Sequence, residues 1–178
     1  MPSNVVAAIT GGLVGAVVTM IGWFVTDYQR RKDARRNRLI DYIQSQIHEL
    51  YAPLSILAAK EQSYRKLRNE TRDRVGEDRK SEVWWRYTER YVAPAQTEIY
   101  GLLQSKWHLL IDGQRPPSFD AVLEHCSRAL VLYELDKGGM GNLGGMEAPP
   151  MPDEFKGDVE RILRDLRAEY NRHLNLKG

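Results

Sequence analysis

The chain contains a single cysteine, Cys126, and this scarcity excludes an internal disulfide framework and any zinc site built from several cysteines. Histidine is also rare, and none of the four stands at a metal-ligand spacing from another: His48, His108, His125 and His173. No metal and no cofactor is therefore predicted. No segment sustains the two-residue alternation of β-branched and polar residues that is typical of strands. These absences together predict an all-α protein.

Charge is absent from the segment between Asn4 and Val25. As a helix, this segment would be roughly 30 Å long, about the thickness of one hydrocarbon core. Its few polar residues are too scattered to form a water-facing stripe. We predict a transmembrane helix within residues 1–27, followed by a helical domain at 28–178. A cleaved signal peptide is disfavoured, because no basic region precedes the apolar run and no small-x-small site follows it.

Basic residues follow the apolar run at once: Arg30, Arg31, Lys32, Arg35, Arg36 and Arg38. The positive-inside rule then places the C-terminal domain in the cytoplasm and the N-terminus outside a bacterial inner membrane. We expect this cluster to contact anionic lipid headgroups. Nucleic-acid binding is less favoured, because no aromatic residues for base stacking are interleaved among these charges.

Small residues recur at every fourth position of the predicted membrane helix. One row comprises Ala7, Gly11, Gly15 and Thr19, and a second row beside it comprises Ala8, Gly12 and Ala16. Such rows allow helix backbones to approach closely in lipid. They predict a homo-oligomer with these residues in its interface. The alternative is a lipid-facing anchor, in which glycine is common anyway.

Apolar residues beyond the membrane segment follow a three-four spacing from Ile40 to Leu57, which indicates a helix continuing from the membrane. Pro53 interrupts this pattern, so we expect a kink near Ala52. The charged segment 60–80 is interpreted as a solvated helix that frays around Gly76.

Three further helices are predicted in the second half of the chain. The first opens at Pro94, the second is capped by Ser118 and ends at Gly138, and the last carries apolar residues at helical spacing from Phe155 to Leu174. The domain is therefore predicted to be a bundle of four or five helices.

Two motifs receive structural interpretations. A literal GxGxxG spans residues 139–144, but a helix is predicted before it and no strand, so a loop is favoured over a dinucleotide site. The aromatic residues near position 85 are interpreted as core or interface residues rather than base-stacking groups: Trp84, Trp85, Tyr87 and Tyr91.

Arg167 and His173 have the spacing of the R-x4-6-H motif of HEPN ribonucleases. In an active pair, the histidine can shuttle a proton while the arginine stabilises the charged phosphate. A polar residue often follows the motif arginine, but Ala168 stands there in this chain. We therefore expect both residues to serve structure or assembly, and we favour a non-enzymatic protein.

The membrane helix, the small helical domain and the Arg167/His173 spacing together resemble the small membrane accessory proteins encoded beside type VI-B CRISPR effectors. The resemblance implies a ring-shaped, pore-forming oligomer in antiphage defence, with Arg167 and His173 in a degenerate HEPN site. The predicted function is a homo-oligomeric inner-membrane protein that forms a pore or perturbs the membrane. The alternatives are a membrane-anchored adaptor for another protein and a membrane-tethered HEPN-like ribonuclease.

Overall fold

The computed structural model describes residues 3–71, 74–76, 80–110, 116–138 and 147–175, without the side chains of 3–17 and 80–81. No strand occurs in these ranges, which confirms the all-α prediction. The helices are α1 (Ser3–Ser45), α2 (Ala52–Thr71), α3 (Lys80–Tyr87), α4 (Ala93–Ser105), α5 (Pro117–Lys137) and α6 (Glu154–Asn175).

A π-helical turn, Gln46–Tyr51, joins α1 to α2. It ends where the Ala52 N–H donates to the Ile47 carbonyl, five residues back. Pro53 follows directly; it has no N–H, and in a regular α-helix its ring would clash with the Glu49 carbonyl four residues back. A wider π turn relieves that clash. A kink was predicted near Ala52, and what the structure shows there is a π turn that ends just before it.

A second π-helical turn, Thr88–Val92, joins α3 to α4 in the same way. The Ala93 N–H donates to the Thr88 carbonyl, and Pro94 comes next in the chain. The prediction that Pro94 opens a helix is correct for α4, because Pro94 lies in its first turn. The prediction did not include α3, from which the chain continues through the π turn into α4.

Helices α2, α4, α5 and α6 form a closed bundle, in which α4 packs on α2 and α5, and α6 packs on the same two helices. Its core is apolar, and its fully buried side chains are Leu50, Leu54, Ile99, Leu103, Phe119, Val122 and Val159. Phe119 packs edge-on against Phe155 at 5.5 Å between ring centroids. The predicted helical bundle is confirmed.

The helix ends follow the sequence signals only in part. Gly138 ends α5 as predicted, its N–H donating to the Glu134 carbonyl. Ser118 is not the N-cap of α5, because Pro116 holds that place. The Ser118 hydroxyl instead donates to Asp158 on α6, at 2.6 Å.

The predicted aromatic cluster is half-buried between α2 and the α3 region. The rings of Tyr64, Tyr87 and Tyr91 form a triangle with centroids 5.5–6.3 Å apart. The Tyr87 hydroxyl donates to the Tyr64 carbonyl at 2.7 Å. Trp85 stacks on Tyr133 of α5 at 5.2 Å. These rings pack on one another and on α2 and α5, but none of the four predicted aromatics is in the buried core, and the prediction of an interface stays a prediction.

Packing divides the chain into two units, Met1–Asp41 and Tyr42–Gly178. The boundary predicted at residues 27/28 was drawn from the apolar run, and it stays a prediction. In the first unit, the large apolar side chains between Val18 and Tyr28 are 50–70% exposed. Among the residues that the structure describes, no helix combines the length and apolar character needed to cross a membrane.

The first π turn is held by a buried hydrogen bond. Gln46 is only 2% exposed, and its Nε2 donates to the Leu109 carbonyl at 2.9 Å. Leu109 ends the short 3-10 helix Trp107–Leu109 that follows α4. This bond ties two irregular backbone segments, 63 residues apart in the chain, to one another.

Replacing Gln46 by Leu should lower the free energy of unfolding by about 1–3 kcal/mol, because the Leu109 carbonyl loses its buried donor. The matched control is Gln44→Leu, two residues earlier and exposed, which should change stability by no more than about 0.5 kcal/mol. Denaturant unfolding followed by circular dichroism measures both. Equal effects of the two substitutions would contradict the assigned role.

Candidate functional site

The densest polar network in the described part of the bundle surrounds residues 147–153, which we call the strap. The strap runs Glu147-Ala148-Pro149-Pro150-Met151-Pro152-Asp153 and leads into α6. Met151 is 6% exposed and belongs to the hydrophobic core. Its prolines have no N–H, so much of the strap backbone presents carbonyl groups without matching donors. Donors from other elements must therefore hold it.

Arg65 of α2 holds the C-terminal half of the strap. Its Nη1 donates to the Met151 carbonyl at 3.2 Å and to Asp153 Oδ1 at 2.9 Å. Its Nε donates to Glu61 Oε2, one helical turn earlier, at 2.9 Å. The guanidinium thus has three acceptors, two on the strap and one on α2, an arrangement that a lysine could not reproduce with the same planar geometry.

His125 of α5 holds the N-terminal half of the strap. Its Nδ1 lies 2.5 Å from the Pro149 carbonyl, and its Nε2 lies 2.9 Å from Gln96 Nε2 of α4. A carbonyl oxygen only accepts, so Nδ1 carries the proton; Nε2 then accepts from the Gln96 amide. Both ring nitrogens therefore have a hydrogen-bond partner. It links α4, α5 and the strap.

Glu61 is the buried carboxylate of this network, with 3% of its surface exposed. Burial raises the pKa of Glu61 above its usual value of 4.5, and the nearby Arg65 guanidinium lowers it by a smaller amount. We take burial to be the larger effect, because Arg65 is one-third exposed and also shared with Asp153. The carboxyl is therefore more easily protonated than an exposed one.

Cys126 follows His125 but is chemically quiet. Burial, with a smaller contribution from the Glu61 charge, raises the pKa of its thiol to about 12. A thiol that stays protonated at neutral pH is a poor nucleophile. Because the neighbouring imidazole has no free nitrogen, the pair does not form a nucleophile-base couple. The network is suited to fastening the strap rather than to acid-base or nucleophilic chemistry.

Metal binding finds no support in the described ranges, where no three histidine, cysteine or acidic side chains converge. The Ser118-Asp158 contact is likewise a structural link. The Ser118 hydroxyl and then the Arg161 guanidinium, which donates to Asp158 Oδ1 at 2.8 Å, lower the pKa of the Asp158 carboxyl. That carboxylate is therefore favoured in its charged form, as a tie between α5 and α6.

The residues with HEPN-like spacing lie on α6 outside this network. Arg167 is exposed, and His173 Nε2 lies 3.8 Å from Glu169 Oε1. Six residues along one helix separate them by about 9 Å and about 120° around the axis. The expectation that they serve structure or assembly stays a prediction.

The other predicted sites lie in the first unit. Ala7, Gly11, Gly12, Gly15 and Ala16 fall outside the residues whose side chains the structure describes, while Thr19 is exposed on α1. All six cations of the basic cluster are described, and five are exposed while Arg36 is half-buried. The GxGxxG segment, 139–144, lies outside the described residues.

Sequence reasoning did not identify Glu61, Arg65, Gln96 or His125 as a group. One signal was available: the Pro-rich strap needs external donors, and Glu61 and Arg65 stand four residues apart, as a helical ion pair does. Which donors meet which carbonyls depends on the packing of the bundle. Comparison of the chain with family models, with curated proteins and with solved structures gives no match.

Replacing Glu61 by Gln should change how stability depends on pH. The pKa of Glu61 is raised in the folded chain, so the folded state binds its proton more tightly than the unfolded state. Wild-type stability therefore falls as the pH rises from 4.5, the unfolded value, through the folded pKa. The variant lacks this loss, and its Tm relative to wild type should be higher at pH 8 than at pH 5.

The control for this prediction is Glu70→Gln on the same helix, where the carboxylate is exposed and 3.8 Å from Lys66. Its Tm difference from wild type should be nearly the same at both pH values, since an exposed pair contributes little. A Glu61→Gln difference that stays constant or shrinks as the pH rises would show that burial does not dominate at Glu61.

Proposed function

We propose that this chain is a single-pass inner-membrane protein that works as a homo-oligomer and carries its helical bundle in the cytoplasm. The observation that supports this most directly is the surface of α1. Its large apolar side chains from Val18 to Val25 are at least half exposed, and the basic cluster follows within a few residues. In water such a surface would be costly, whereas a bilayer covers the apolar part and attracts the cations.

The uncharged segment Asn4–Val25 supports the same proposal, and most of it precedes the first described side chain. Trp23 and Tyr28 stand near its C-terminal end, where aromatic side chains commonly lie at the membrane surface. The resemblance to pore-forming accessory proteins adds an activity class. We propose that the oligomer perturbs or permeates the membrane in antiphage defence.

An anchored adaptor is the second candidate, and one surface favours it. Arg68 lies over the Trp84 ring at 5.9 Å, and Arg90 lies over Tyr91 at 5.8 Å. Tyr91 itself is 40% exposed. Tryptophan, tyrosine and arginine are the residues most enriched at interaction hot spots. In this alternative, the bundle recruits another protein to the membrane and the anchor remains monomeric.

Membrane insertion and orientation are tested together in cells. The protein should remain in the membrane pellet after alkaline extraction, and a fusion to its C-terminus should make green fluorescent protein fluoresce and leave alkaline phosphatase inactive. This outcome follows from the positive charges on the C-terminal flank. Extraction into the supernatant would refute the anchor, and an active phosphatase fusion would refute the orientation.

Self-association is tested by the double substitution Gly11→Ile and Gly15→Ile. Larger side chains at these positions would separate closely packed backbones and weaken assembly by about 1 kcal/mol or more. The particle mass in mild detergent, measured by light scattering, should fall.

The matched control for this test is Val6→Ile with Val17→Ile, which enlarges two positions on the opposite side of the helical register. It should leave the particle mass unchanged. If the glycine variant keeps the wild-type mass, the monomeric adaptor is favoured instead.

A further inference from the structure

The basic cluster on α1 is divided between two sides of the helix. Four arginines surround a small residue and line an open groove of about 380 Å³: Arg30, Arg31, Arg35 and Arg38, with Ala34 between them. At 100° per residue these positions fall within an arc of about 140°. Lys32 and Arg36 lie outside that arc.

The groove holds more positive charge than its own contacts neutralise. Arg31 donates to Asp27 at 2.8 Å and remains largely exposed. For Arg30, Arg35 and Arg38, no ion pair with any residue in the described ranges is found. Guanidinium groups bind phosphate oxygens through paired N–H donors, so these three arginines have donors to offer to a phosphate that enters the groove.

We propose that this groove binds the headgroup of one anionic phospholipid, an inference that rests on the membrane anchoring proposed above. Ala34 has a short side chain that leaves the space between the arginines open. A single headgroup held in this open groove differs from a diffuse attraction between a charged helix and a charged surface. A diffuse attraction would treat all six cations alike.

The position of the groove selects a lipid over other phosphates. Arg30 is five residues beyond Val25, which is about 7.5 Å along the helix. The headgroup layer adds roughly 5–8 Å to each side of the hydrocarbon core. Arg35 and Arg38 are about 15 and 20 Å beyond Val25 along the helix, and because side chains lean toward the helix N-terminus they reach back about one turn toward the outer edge of that layer. Lipid phosphates are the phosphates found at the depth of Arg30.

The experiment titrates the full-length protein, purified in mild detergent, with dioleoylphosphatidylglycerol or dioleoylphosphatidylcholine, and counts bound lipids by native mass spectrometry. Wild type should retain one phosphatidylglycerol per chain more tightly than phosphatidylcholine. Arg35→Gln should weaken phosphatidylglycerol binding about tenfold or more, the usual effect of losing a direct hydrogen bond to a charged group. Ala34→Leu should weaken it as well, because the added side chain fills the groove without changing any charge.

Lys32→Gln is the matched control, since Lys32 is exposed on the same helix and carries the same charge outside the groove. It should change affinity by less than twofold. Equal losses in Lys32→Gln and Arg35→Gln, or no loss in Ala34→Leu, would overturn the site in favour of diffuse attraction. Equal retention of the two lipids would overturn it as well. Displacement of the lipid by inorganic phosphate at a similar concentration would show that the groove binds phosphate in general and would overturn the assignment of a lipid as its occupant.

These outcomes separate the site from the anchor. If the protein stays in the membrane after alkaline extraction but shows no lipid preference, only the lipid site is refuted. If that extraction releases the protein, the membrane anchor is refuted, and so is a lipid as the natural occupant, whatever the detergent titration shows.

Discussion

The strap cannot satisfy its own hydrogen bonds, and the closure of the bundle depends on how that deficit is met. A segment with three prolines among seven residues offers carbonyls and few N–H groups. Arg65 and His125 supply donors from α2 and α5, and Met151 fixes the segment in the core. Since α6 starts immediately after the strap, its contacts with α2 and α5 depend on the same fastening.

This dependence explains why charged and polar side chains lie inside a small domain. A buried carboxylate and guanidinium are costly unless each finds partners, and losing one partner costs more than the pair contributes. Glu61 and Gln96 are acceptable in the interior because each has a partner in the network, Arg65 for Glu61 and the half-buried His125 for Gln96. Arg65 remains partly in solvent, which reduces the cost of keeping its charge inside.

Most of the bundle follows from periodicity. The six apolar residues with three-four spacing from Ile40 to Leu57 were predicted to share one seam. Five of the six are buried and Leu57 is half-buried, because the spacing of apolar residues determines which side of a helix avoids water. The C-terminal end of α5 was predicted from Gly138, and the start of α6 from the apolar residues that begin at Phe155. Both are local signals.

Contacts between residues far apart in the chain could not be predicted from the sequence. Arg65 and the Met151 carbonyl are 86 positions apart, and local propensity carries no information about such a pair. Ser118 shows the same limit, because a serine after two prolines reads as a helix cap until α6 brings Asp158 to it. The π turns were missed for another reason: a turn one residue longer still leaves apolar residues three or four positions apart. The only local indication of the π turns was the proline that follows each of them, Pro53 and Pro94.

The two π turns also change the number of residues that each helical turn contains. A bond that spans five residues takes up one more residue than an α-helical bond does, so each turn stores a single extra amino acid inside an otherwise regular rod. The residues beyond each π turn therefore keep a different register from the one that an uninterrupted α-helix would give them. Tyr-Ala-Pro at 51–53 and Val-Ala-Pro at 92–94 mark the two places where this change of register occurs.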